Sequence, residues 1–249
     1  MKKPLVIAHR GASHVAPENT MAAYKKAIEM GADGIEIDVQ LSKDGQLVVI
    51  HDQTLNRTSN KTGFVRDFTL KELKSFDFGS WFSPDFAGQT IPTLEEVLDL
   101  LSPTGMLLNI EIKNGPIFYD NIEKKVADMV SGYNMLDRAI ISSFNHYSLV
   151  EIKKYCPKLA TGALYAAGIY EPWEYAKRIG AEAIHPLFYN IVPQVMEGCL
   201  RNGIKVNPYT VDQPEYIKNV ALAGVSGIIT NVPDTALKVL NEMEVYHEA

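Results

Sequence analysis

The chain has 249 residues, 46% of them hydrophobic and 22% charged, and carries a formal net charge of −6. That length suits a single domain over 1–249, and an acidic chain with no basic stripe argues against nucleic acid as a partner. No apolar run approaches the roughly 20 residues of a membrane-spanning helix, and the run Leu5–Ala8 is too short for a secretory leader, so a cytoplasmic protein is expected.

A first strand is read over Leu5–His9, ending in His9-Arg10-Gly11. A helical pattern follows over Thr20–Met30, with Asn19 as its expected N-cap, and Gly31-Ala32-Asp33 stops it. The second strand, Gly34–Gln40, alternates Glu36 and Asp38 with Ile35, Ile37 and Val39, so both carboxylates share one face. Ser42-Lys43-Asp44-Gly45 is a tight turn, and Leu47–Ile50 returns antiparallel, because a parallel neighbour needs a far longer crossover. Centring the turn near Lys43-Asp44 lays His51 opposite Glu36.

Residues 53–92 are too long for an ordinary strand-to-helix loop. With Phe68, Phe76, Phe78, Trp81, Phe82 and Phe86 they read as an insertion over the barrel mouth, partly packed by its own aromatics. Helix Thr93–Leu101 leads to a third strand, Leu107–Ile112, where Glu111 and Lys113 share a face. Strands Ala139–Ser143, Thr161–Leu164, Ala183–Pro186, Lys205–Tyr209 and Gly227–Thr230 follow. Between them lie helical patterns over Tyr119–Ser131, Tyr147–Tyr155, Trp173–Ile179, Val192–Asn202 and Pro214–Ala223. This alternation predicts an α/β fold, a (β/α)8 TIM barrel with one antiparallel hairpin return strand and an insertion after it.

In such barrels the strand C-terminal ends form the active-site face. Glu36, Asp38 and Glu111 converge there as oxygen donors suited to a hard divalent cation, Mg²⁺ or Ca²⁺, with Mn²⁺ also compatible. Zinc more usually recruits histidine directly. Arg10 and Lys113 add positive charge and donors for a phosphate, and His9 and His51 can pass protons near neutral pH. The competing reading is a set of interior salt bridges such as Glu111 with Lys113, which leaves negative charge over. Phe144 follows a strand end and either lines a substrate pocket or packs in the core. Asp52 orients His51 or closes a turn, and His185 ends a strand, in a structural role or at the mouth. His14, His146 and His247 have no partner visible in sequence, and Cys156 and Cys199 read as buried thiols.

His9-Arg10-Gly11, Pro17-Glu18-Asn19-Thr20, Glu36-x-Asp38-Val39, Lys43-Asp44-Gly45 and Val48-Val49-x-His51-Asp52 together resemble the glycerophosphodiester phosphodiesterase family. Glu111-x-Lys113, Ser143-Phe144, Tyr209-Thr210-Val211 and Gly227-Ile228-Ile229-Thr230-Asn231-x-Pro233-Asp234 continue the match in order. The resemblance implies a (β/α)8 barrel that hydrolyses glycerophosphodiesters, small-molecule substrates, to glycerol 3-phosphate and an alcohol. It implies Glu36, Asp38 and Glu111 as metal ligands, His9 and His51 as the acid/base pair, and Arg10 and Lys113 on the phosphate. The family often has Trp-Thr-Val-Asn on the seventh strand. Here Tyr209 keeps an aromatic face toward substrate, whereas Asp212 replaces the Asn. Which histidine is the base, and whether water or the glycerol 2-hydroxyl attacks, stays open at this level. So do head group and oligomeric state. The rival readings are a lysophospholipase D acting on longer lipids and an inactive phosphate-binding barrel.

Overall fold

The computed structural model describes residues 3–245. In chain order, β1 is Leu5–His9, α1 Met21–Glu29, β2 Gly34–Leu41, β3 Leu47–Val49, α2 Leu70–Leu73 and α3 Leu94–Leu101. Next come β4 (Leu107–Ile112), α4 (Ile122–Gly132), β5 (Ala139–Ser143), α5 (His146–Tyr155), β6 (Ala160–Tyr165) and α6 (Pro172–Ile179). β7 (Ala183–Pro186), α7 (Pro193–Arg201), β8 (Lys205–Val206), α8 (Pro214–Leu222), β9 (Gly227–Thr230) and α9 (Pro233–Val245) complete the chain.

Local chemistry explains the boundaries. Thr20, not Asn19, caps α1, its hydroxyl accepting from the Ala23 N–H. Thr93 and Glu96 form a reciprocal capping box on α3. Proline opens α6, α7 and α8, where its missing N–H is not needed. Gly180 ends α6 in the left-handed region at φ 73°.

The strands run β8-β7-β6-β5-β4-β2-β1-β9, all parallel along this path, and β3 lies antiparallel on β2. The result is a nearly closed barrel of eight parallel strands with helices outside. The β8–β9 seam is bridged by Ile229 N–H to Pro208 O at 3.0 Å and Val211 N–H to Ile229 O at 3.0 Å. Every residue of β2 is buried, as a strand covered on both sides requires. Ile35, Ile37, Val39, Ile110 and Ile112 pack outward against Tyr24, Leu94, Leu98, Ile122 and Val126. That packing turns the alternate residues of both strands into the barrel.

Two expectations change. β8 ends at Val206 rather than Tyr209, because Pro208 has no N–H for a ladder. Tyr209 still bridges to Leu187 as an isolated pair. The hairpin loop has three residues, Lys43, Asp44 and Gly45, with Gly45 at φ 73° and Ser42 N–H bonded to Gln46 O. Centring on Asp44 pairs Val39 with Val49, one residue away from the expected register, so His51 does not lie opposite Glu36. The ladder stops at Val49, and the Ile50 N–H donates to Asp38 O at 2.9 Å. The chain then bends away. Buried Gln40 holds the bend, its side-chain amide donating to the carbonyls of Ile50, His51 and Asp52 at 2.9, 3.1 and 2.7 Å.

Beyond it, Ile50, Leu55, Val65, Leu73, Phe78 and Ile91 form a separate apolar cluster with Val48, edged by Phe68, Leu70 and Phe76. Among the described residues, no helix is long and apolar enough to cross a membrane.

Candidate active site

The parallel register sets Asp38 beside Glu111, and one layer down Glu36 beside Asn109. Glu36, Asp38 and Glu111 are buried, and one oxygen from each lies within 4.8 Å of the others. Asp38 is held on several sides. The Asn19 side-chain amide donates to its Oδ2 at 2.8 Å, Arg10 Nε lies 3.3 Å from Oδ2, and Lys113 Nζ lies 3.6 Å from Oδ1. Burial works against its charge, yet Arg10 and Lys113 hold Asp38 well below the usual carboxylate range. Burial and the charges of Asp38 and Glu111 push Glu36 well up. Burial also pushes Glu111 up to about 7, although Lys113 Nζ donates to its Oε1 at 2.7 Å.

This donor set fits a divalent cation. Three hard oxygen ligands converge, Asp38 Oδ1 is buried without a hydrogen-bond partner, and two of the carboxyls resist ionisation without further positive charge.

Arg10 sits at φ 57°, uncommon for a residue with a side chain. Its N–H donates to Glu36 O at 2.9 Å and to Glu36 Oε2 at 3.1 Å. Gly11 follows at φ 84°, and a Cβ there would stand 2.7 Å from Ala23, so this turn against α1 admits only glycine. Arg10 Nη1 donates to Glu18 Oε1 at 2.8 Å, while its Nε is buried with no hydrogen-bond acceptor.

His9 and His51 line the same cavity of about 220 Å³, together with Arg10, Glu36, Asn109, Glu111, Ser142, Phe144 and Tyr209. His9 Nδ1 lies 2.7 Å from Asn231 Oδ1, and its Nε2 lies 3.8 Å from Glu36 Oε2. Burial and the nearby Arg10 lower His9 to about 4. His51 Nδ1 lies 2.7 Å from Asp52 Oδ1, and burial lowers its affinity for a proton against the pull of Asp38. Arg57 binds both Asp52 oxygens and depresses that carboxyl to about 2. Asp52 therefore orients His51 rather than merely closing a turn.

Phe144 is half exposed and meets Tyr209 edge to face, ring centres 5.9 Å apart. Lys113 and Phe144 also face an adjoining depression lined by Phe118 and Tyr147. At the cavity floor, Asn109 Oδ1 and Ser142 Oγ are buried without partners.

Other expectations resolve into structure. His185 lies outside this cavity, with Nε2 3.0 Å from Asn207 Nδ2. His146 is tied to Tyr175 and Leu164 O, and His247 lies outside the described residues. Cys199 is buried, but Cys156 is only half-buried. Sequence reasoning missed Asn19 as a partner of Asp38, together with Glu18, Gln40 and Arg57. The segment Pro17-Glu18-Asn19-Thr20 offered a signal for two of them. Nothing local marks Gln40 or Arg57.

Comparison with known proteins finds a family and similar folds. Residues 9–235 match the model of the Glycerophosphoryl diester phosphodiesterase family. A glycerophosphodiester phosphodiesterase of Caldanaerobacter subterraneus subsp. tengcongensis is 52% identical over 240 residues, covering 96% of this chain and 99% of the relative. Among solved structures, an Oleispira antarctica phosphodiesterase in complex with the product sn-glycerol-3-phosphate is similar at a TM-score of 0.86 and 30% identity, over 96% of this chain and 97% of that one. A glycerophosphodiester phosphodiesterase from Agrobacterium tumefaciens matches at 0.83 and 30%, over 94% and 98%.

Proposed function

The chain belongs to the glycerophosphoryl diester phosphodiesterase family, and from that premise we propose that it hydrolyses glycerophosphodiesters to glycerol 3-phosphate and an alcohol, with a divalent cation and two histidines. The observation that carries the proposal is the charge around one cavity. Once all three are ionised, Glu36, Asp38 and Glu111 against Arg10 and Lys113 leave one net negative charge. A bound divalent cation would favour that ionisation and bring the sum to one positive charge, which matches the single negative charge of a phosphodiester.

Glu36, Asp38 and Glu111 would hold Mg²⁺, Ca²⁺ or Mn²⁺, and the bound cation would supply Lewis-acid stabilisation of charge at phosphorus. Arg10, which lines the cavity, and Lys113 beside it would bind non-bridging phosphate oxygens. Asn19 and the Glu18–Arg10 contact hold these groups in place. His9 is the general base, because its low proton affinity keeps it neutral near pH 7 and its Nδ1 partner is an amide. His51 is assigned as the general acid for the leaving alkoxide, because ionised Asp52 on its Nδ1 offsets part of the burial that lowers its proton affinity, an offset His9 lacks on its amide partner. The attacking oxygen is water or the glycerol 2-hydroxyl. Residues 53–92 are read as an insertion within one domain, and their Arg57 reaches the site.

A second reading, action on lysophospholipids with longer chains, is favoured by the depression lined by Phe118, Phe144 and Tyr147. One assay tests both: release of glycerol 3-phosphate from glycerophosphocholine, and of choline from lysophosphatidylcholine, after chelation and metal add-back. Turnover of glycerophosphocholine in lasting excess chelator would sink the metal-dependent proposal. Faster turnover of the lysolipid would replace the first substrate by the second.

A further inference from the structure

We propose that Asp212 is a positioning residue that decides which ring nitrogen of His9 carries the proton. This is the position at which the chain departs from the Asn of the family pattern, and its carboxylate does not line the cavity. It turns instead toward the end of β9. Asp212 Oδ1 accepts from the Thr230 hydroxyl at 3.0 Å and from the Asn231 N–H at 2.8 Å, and Oδ2 accepts from the Asn231 side-chain amide at 2.7 Å.

The hydrogen-bond logic runs one way. Both Asp212 oxygens accept, so Asn231 points its NH2 at Asp212. Its carbonyl oxygen therefore faces the other side, where Ser13 Oγ lies at 2.9 Å and His9 Nδ1 at 2.7 Å. A carbonyl only accepts, so His9 Nδ1 bears the hydrogen. A neutral imidazole has one N–H, and Nε2 is left bare. Nε2 is the nitrogen on the side of Glu36, 3.8 Å from its Oε2. A carboxylate on the β8–α8 loop thus sets the protonation of a ring on β1 through one intervening amide, which is how outer partners commonly fix a histidine tautomer.

Exchange of one atom inverts the chain. In Asp212→Asn, one oxygen still receives the Asn231 N–H and the Thr230 hydroxyl, but the new NH2 meets the NH2 of Asn231. The clash is relieved when the Asn231 amide turns over. Its NH2 then donates to His9 Nδ1, and the ring proton moves to Nε2, where it blocks base action. Exchanging both residues, Asp212→Asn with Asn231→Asp, restores the pattern. The Asn at 212 donates to the carboxylate at 231, whose second oxygen accepts from His9 Nδ1–H.

The test is two-bond 1H–15N correlation spectroscopy on the full chain labelled with 15N-histidine, with and without Mg²⁺, His9 being assigned with a His9→Gln variant. The parent should show His9 as the Nδ1–H tautomer, Asp212→Asn should shift it to Nε2–H, and the double exchange should return it. In parallel, kcat on glycerophosphocholine should fall about tenfold in Asp212→Asn with KM nearly unchanged, and recover in the double exchange. A parent with Nε2–H, an unchanged tautomer in Asp212→Asn, or an inverted tautomer with undiminished kcat overturns the proposal. If Asp212→Asn does not fold, the parent spectrum and the double exchange still decide. The kinetic arm rests on the phosphodiesterase reading. A parent that releases no glycerol 3-phosphate defeats that reading and leaves the spectra to judge the proton, whereas contrary spectra in an active parent defeat only the role of Asp212.

Discussion

Arg57 and Glu18 meet through two parallel hydrogen bonds, Nη1 to Oε2 at 2.7 Å and Nη2 to Oε1 at 2.8 Å. Glu18 also receives Arg10 Nη1 at 2.8 Å, and Arg57 Nε reaches Asp52 Oδ2 at 2.9 Å. One guanidinium from the segment after β3 therefore steadies the carboxylate behind Arg10 and the carboxylate behind His51. Arg57→Leu should lower kcat/KM about 10- to 100-fold, in line with loss of precise placement. Its half-exposed ion pairs contribute little to stability, about 0–1 kcal/mol. Arg57→Lys should recover little activity, because an ammonium cannot bind two carboxylates in this forked manner. Steady-state kinetics with thermal melts would check this, and a large loss of stability with unchanged kcat/KM would count against it.

Both histidines line one cavity together with Glu36 and Glu111. His9→Ala and His51→Ala should each reduce kcat by roughly 10²–10⁴-fold, the usual loss when a general acid or base is removed. Asp52→Asn should cost less, since it leaves the ring in place but removes the charge on Nδ1. Near-normal kcat in either alanine variant would remove that histidine from the chemistry.

Glu111 gives a pH signature. Burial raises its pKa from the ordinary 4.5 to about 7. Between those values the folded protein holds a proton on Glu111 that the unfolded chain releases, so the contribution of Glu111 to stability in chelator should fall as pH rises through this window, against an opposite contribution from His9, whose lowered proton affinity favours the folded state as pH rises. Saturating Mg²⁺ should flatten the slope, and metal binding near pH 6 should release protons, visible as a buffer-dependent heat in titration calorimetry. Glu111→Gln should remove this share of the slope, leaving that of Glu36, and weaken metal binding. A melting-temperature difference between the parent and Glu111→Gln that does not change from pH 4.5 to 7 in chelator would contradict the proposed electrostatics.

Asn109 Oδ1 and Ser142 Oγ lack partners at the cavity floor, at a cost of about 1–3 kcal/mol for a buried unsatisfied group. Ser142→Ala should therefore raise the melting temperature of the free protein by roughly 2–4 °C per kcal/mol recovered. If the floor receives glycerol hydroxyls, the same change should raise KM for glycerophosphocholine but not for a simple dialkyl phosphodiester. An equal effect on both substrates would assign the floor to water alone.

Alternation along β2 and β4 was enough to put Glu36, Asp38 and Glu111 on the barrel side, because successive side chains on a strand point to opposite faces and the Ile and Val between them must be buried. Eight strand-and-helix units were enough for the barrel, because parallel neighbours need crossovers of that length. The hairpin register was not legible. It turned on whether the loop held two residues or three, and Gly45 in the left-handed region made it three. Nor could sequence separate Asn19 as a cap from Asn19 as a partner of Asp38, since both roles suit an amide beside a helix start.

The sequence by itself determined that Glu36, Asp38 and Glu111 face the barrel interior, through the period of two that each strand carries locally. Only the tertiary structure decided how those side chains are held. Gln40 beneath His51, Arg57 between Glu18 and Asp52, and Asp212 behind Asn231 and His9 rest on contacts that include pairs 39 and 222 residues apart in the chain. Their directions depend on donors and acceptors that meet only when the strands close into a barrel.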